Sequence, residues 1–125
     1  MPALQIDDGF TLDGRTTAAV SDPVTGRALY TGLPEVAFRY RPALPDALAE
    51  WRYALRAATS GRAQVDATAQ FVAAHLVSWD VTDGRGAPVP ITPDAVRKVP
   101  EPILDQLVEA VSKWAPKHLA AALGN

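Results

Sequence analysis

A histidine, a serine and two aspartates crowd into one short run of this chain, His75-Leu76-Val77-Ser78-Trp79-Asp80-Val81-Thr82-Asp83. Those side chains are the ones acyl transfer uses: the imidazole takes the serine proton and a carboxylate orients the imidazole. Their spacing works against it. Thr68, Phe71, Val72, His75, Leu76 and Trp79 recur at intervals of three and four, which predicts a helix over Ala63–Trp79 with Ser78 inside it. A triad serine instead needs an exposed turn beside oxyanion donors. His75 is read as a half-buried histidine packing beside Phe71 and Trp79, and His118 as a solvated residue near the chain end.

Hard cations are the next chemistry to consider, since Asp7-Asp8 and Asp80-Val81-Thr82-Asp83-Gly84 offer carboxylate oxygens. A calcium loop places oxygen-bearing residues at alternate positions and closes on a glutamate, but Ile91-Thr92-Pro93 stand where that acid should fall. Asp83-Gly84 is expected to form a turn that caps the second helix, with hairpin character. Gly84-Arg85-Gly86 lacks the lysine and hydroxyl of a phosphate loop. No catalytic residue, metal or cofactor is therefore expected, and the chain is read as a non-enzyme.

Composition narrows the field further. The 125 residues carry a net charge of -2, a pI near 5.6, 12 basic residues scattered along the chain, two histidines and no cysteine. That balance offers no footprint for phosphate backbones, so no nucleic acid partner is expected. The absence of cysteine removes disulfides, thiol nucleophiles and thiolate metal sites, and suits a reducing cytoplasm. Phe71–Val77 and Ile103–Val111 are the most apolar stretches, far short of the ~20 residues a membrane span needs. Met1 to Asp8 has neither the basic nor the apolar region of a cleaved signal. A chain of this length is expected to be one domain, residues 1–125.

The elements that must position these residues divide at Pro42. Residues 1–41 are β-rich, with Thr11, Thr16, Thr17, Val20, Val24, Val36 and Phe38 set between glycines. Ser21-Asp22-Pro23-Val24-Thr25-Gly26-Arg27 is a turn cluster, which predicts a hairpin of Thr16–Val20 with Arg27–Thr31. Glu35 to Arg41 alternates with period two and places Val36, Phe38 and Tyr40 on one face of a strand.

Residues 42–125 read as helical. Leu44, Leu48, Trp51, Leu55 and Ala58 form the stripe of a first helix, opened by Pro45 and ending before Ser60-Gly61. Thr92, Pro93 and Asp94 predict the start of a short third helix, Asp94–Val99, stopped by Pro100. Pro102 opens the fourth, whose stripe of Ile103, Leu104, Leu107, Val108, Val111 and Trp114 is the cleanest in the chain. Pro116 breaks or kinks it. That stripe either serves the core alone, the plainer reading, or serves the core and offers a margin to a partner helix, for which Leu107, Val111, Trp114 and Leu119 are the candidate partner-binding residues. Trp51, Trp79 and Trp114 fall on or at the end of apolar stripes and are expected in the core. The fold class predicted is α+β, a small antiparallel β unit followed by a four-helix, mainly α unit.

The order of these motifs resembles a known family. Phe38-Arg39-Tyr40-Arg41-Pro42-Ala43-Leu44-Pro45, then Phe71 to Val81 with its Trp79-Asp80 pair, then Val89 to Pro100 with its Pro90-Ile91-Thr92-Pro93 step, then Ile103 to Val111, are similar to the tail assembly chaperones of long-tailed, siphovirus-like bacteriophages and prophages. The resemblance covers Phe38 to about Val111. It implies a helper in the host bacterial cytoplasm that binds the hydrophobic tape measure protein, keeps it soluble and recruits major tail tube subunits, with no catalytic residue. Self-association into a homo-oligomer is compatible with it. Met1 to Pro34 departs from the pattern in being richer in strands and turns. That points to an alternative, a small structural virion protein such as a tail completion or head-tail connector component.

Overall fold

A computed structural model of the chain describes residues 10–113. The architecture is α+β. Its elements run β1 (Leu12–Arg15), β2 (Val20–Ser21), β3 (Ala28–Tyr30), β4 (Ala37–Tyr40), α1 (Pro45–Ala57), α2 (Gly61–His75), β5 (Leu76–Trp79), α3 (Pro93–Arg97) and α4 (Glu101–Lys113). Strands β1, β4 and β5 form an antiparallel sheet in that spatial order, and β2 and β3 form a separate two-stranded ribbon.

Strand β4 is the centre of the larger sheet, and its alternation does what the sequence predicts. Val36, Phe38 and Tyr40 are buried while Arg39 points outward and ion-pairs with Asp13, its cross-strand neighbour, at 3.0 Å. Buried Thr16 extends the β1–β4 pairing: its N–H donates to the Val36 carbonyl and its Oγ1 accepts from the Val36 N–H at 2.8 Å. Gly14 lies opposite Phe38 on edge strand β1, and the Phe38 ring covers the glycine where a side chain would otherwise stand. The predicted hairpin is present in shortened form. Asp22 accepts from the Val24 and Thr25 N–H groups, Gly26 takes φ +74°, and only Val20–Ser21 and Ala28–Tyr30 pair.

The first and third helices open at their expected signals, and the second begins at Gly61, two residues before the expected Ala63. Pro45 opens α1, Ser60 accepts from the Ala63 N–H at the start of α2, and Thr92 accepts from the Ala95 N–H at the start of α3. Helix α3 ends at Arg97, two residues short of the expected Val99, and α4 starts one residue early at Glu101. The expected second helix is corrected more substantially. It stops at His75, and Leu76–Trp79 becomes strand β5, pairing Phe38 with Trp79 and Arg39 with Ser78. The reason is tertiary. Beside β4, the backbone of Leu76–Trp79 gains a ladder partner, and the Arg41 N–H donates to the His75 carbonyl at the junction. A register shift between Arg39 and Tyr40 leaves Val77 bulged out and 45% exposed.

One core joins both halves: Phe38 and Tyr40 from the sheet, Ala69, Phe71 and Val72 from α2, Val96 from α3, and Leu107, Ala110 and Val111 from α4. Helix α1 lies at its margin with no residue fully buried. Trp51 fastens it, stacking on Phe71 with centroids 4.4 Å apart and planes within 6°, and donating its indole N–H to Thr68 Oγ1. Trp79 is also packed against the core and donates to the Val89 carbonyl at 2.7 Å. Both tryptophans are thus core-packing, as expected; Trp114 lies outside the described residues.

Three substitutions probe this packing. A Cβ at Gly14 would come 2.5 Å from the Phe38 ring, so Gly14→Ala is expected to cost about 1–3 kcal/mol in denaturant unfolding. Gly84→Ala, which meets open space, should leave the midpoint nearly unchanged. Tyr40 is fully buried, and its hydroxyl has no hydrogen-bond partner among the described residues. Tyr40→Phe is therefore expected to be neutral or to stabilise by up to about 1 kcal/mol in the same measurement.

Candidate functional site

Three of the residues that could have done chemistry, His75, Asp80 and Asp83, are engaged with backbone groups. His75 is half-buried at the end of α2, where its Nδ1 lies 2.8 Å from the Phe71 carbonyl and its ring packs 4.9 Å from that of Phe71. Ser78 is exposed on β5 rather than inside a helix. The Asp80 carboxylate accepts from the Ala37 N–H at 2.9 Å, which ties the end of β5 to the start of β4. Asp83 accepts from the Arg85 and Ala87 N–H groups and closes a hairpin in which Thr82 bridges Pro88 and the Val89 N–H donates to the Val81 carbonyl. The expected turn is there, closing a hairpin after β5 instead of capping α2. Among the described residues no cluster of three His, Asp or Glu side chains could hold a metal ion. The Asp7-Asp8 pair and His118 lie outside the described residues.

Two of the four candidate partner-binding residues are placed in the core rather than at a surface. Leu107 and Val111 are completely buried in the shared core, and the Val111 carbonyl accepts from the Ala43 N–H. Neither offers surface to a partner. An apolar helical stripe serves whatever covers it, and here the sheet and α2 do so. Trp114 and Leu119 lie outside the described residues.

What the fold does create is a groove along α4. Two adjoining depressions of about 320 and 190 Å³ lie between this helix, strand β1 and the β2–β3 ribbon, and Val20, Gln106 and Glu109 line both. Gln106 anchors the strand side: its Oε1 accepts from the Thr17 N–H at 2.8 Å. Phe38 and Ala110, otherwise core residues, form the apolar floor of the larger depression. Glu101, Asp105 and Glu109 line the smaller one, each four residues from the next on one helical face. None of the three has a basic ion-pair partner among the described residues. The groove eluded the sequence reading because its walls are far apart in the chain. The available signal was an acid at every fourth position of the fourth helix.

Partial burial, and secondarily the charge of Glu101, raise the Asp105 carboxyl above its ordinary value. A carboxyl with a higher pKa in the folded chain opposes folding once it ionises, so its penalty is absent below the unfolded value and develops as pH rises through the folded one. Asp105→Asn is expected to raise the thermal midpoint slightly at about pH 7 and to leave it unchanged at about pH 3, where the carboxyl is largely protonated in both states. Differential scanning calorimetry at the two pH values checks this.

No described helix is long and apolar enough to cross a membrane. Set against known proteins, the chain matches no protein family, no curated protein and no solved structure.

Proposed function

We propose that this chain is a non-catalytic assembly helper, a tail assembly chaperone of a long-tailed bacteriophage or prophage. In that role it works in the host cytoplasm, binds the hydrophobic tape measure protein, keeps it soluble and recruits tail tube subunits. The observation that carries the reading is the ordered run of motifs from Phe38 to Val111. The engagement of His75, Asp80 and Asp83 with backbone groups accords with a role in binding rather than catalysis.

The surface for such a partner lies elsewhere than on Leu107 and Val111. Large apolar side chains remain exposed at Leu44 before α1, Tyr53 on α1, Val65 on α2 and Val77 on β5. Helix α1 has no fully buried residue and so has side-chain surface to offer. An unassembled tape measure chain exposes long apolar helical faces, and shielding these requires apolar contact rather than chemistry.

Co-expression with the tape measure protein encoded beside it is expected to convert that protein from insoluble to soluble and to yield a complex on a sizing column. Unchanged precipitation with no complex would defeat the proposal. The second reading, a small structural virion protein, is favoured by the four strands of the N-terminal third. It requires the chain in purified particles at a fixed stoichiometry, whereas a chaperone should be scarce or absent there.

A further inference from the structure

We infer that the groove between the β2–β3 ribbon and α4 docks a positively charged amphipathic segment of a partner protein. This goes beyond the tail-assembly reading and does not depend on it. The larger depression, at about 320 Å³, is at the lower limit of small-molecule pockets, and its floor is apolar. It suits one or two apolar side chains better than a metabolite.

The smaller depression sets the charge of the occupant. Leu29, 54% exposed, and half-buried Val20 give it an apolar wall, while Glu101, Asp105 and Glu109 give the facing wall three carboxylates. Like charges four residues apart on a helix repel one another. Partial burial, and after it the charge of Glu101, hold the Asp105 carboxyl above its ordinary value. Arg15, in the larger depression, does not neutralise this wall, because its own nearest acid is Glu35 at 4.0 Å.

A single divalent ion does not fit, since these side chains do not converge into a chelating cluster. Cations spaced along a chain do fit. Lys or Arg at every fourth position of a helix laid beside α4 would meet the three acids in register, about 6 Å apart, with its apolar residues turned to Val20, Leu29 and the floor. The same charges repel nucleic acid and anionic lipid.

The test uses the full chain, isotopically labelled, titrated with an amphipathic helical Leu/Lys peptide and its Leu/Glu counterpart. The Lys peptide is expected to shift the amides of Val20, Leu29, Gln106 and Glu109 saturably, to bind more weakly as salt rises, and to outbind the Glu peptide. The double variant Glu101→Lys/Asp105→Lys should weaken it about tenfold, and the neutral Glu101→Gln/Asp105→Asn should weaken it less. Reversing two acids of α1, Asp46→Lys/Glu50→Lys, should leave it unchanged. Equal binding of the two peptides, shifts centred away from the groove, indifference to the α4 charges, or equal sensitivity to the α1 charges would overturn the inference.

Discussion

Phe38 and Tyr40 lie in the core on β4, the central strand of its sheet, whose backbone therefore has to find partners on both edges. Strand β1 supplies one edge and β5 the other. From that requirement much of the architecture follows. Helix α2 has to end at His75 to release Leu76–Trp79 for pairing, Thr16 has to bury its hydroxyl to continue the β1 side, and α4 has to cover the inner face with Leu107, Ala110 and Val111. The Asp80 carboxylate on the Ala37 N–H is part of the same junction.

Local signals were legible in the sequence; tertiary decisions were not. The period-two alternation of Glu35–Arg41, the Asp22–Gly26 turn and the cap at Thr92 each depend on residues within a few positions, and the structure holds each of them there. The end of α2 escaped because Phe71, Val72, Leu76 and Trp79 keep helical spacing even though the last two sit on a strand. Only the presence of β4 breaks that tie. The burial of Leu107 and Val111 has a related reason. A continuous stripe on α4 shows that its residues will be covered without showing by what, and the sheet claims Leu107 and Val111.

Helix α4 consequently serves two surroundings. Its inner stripe completes the core and its outer acids line the groove, with Gln106 between them bonded to Thr17. This division rests on helical geometry, since residues four apart stay on one face while those one or two apart turn away from it. The chain thereby places charge beside apolar surface at the margin of the core, the pairing on which recognition of amphipathic segments depends.

The displaced Val77 bears on how copies of the chain behave together. Strand β5 lies at the edge of its sheet and is only four residues long, and the bulge interrupts its even row of amide and carbonyl groups. A growing fibril needs an uninterrupted template of that kind. One extra residue spoils that template along the β5 edge, and it does so without a charged side chain in β5.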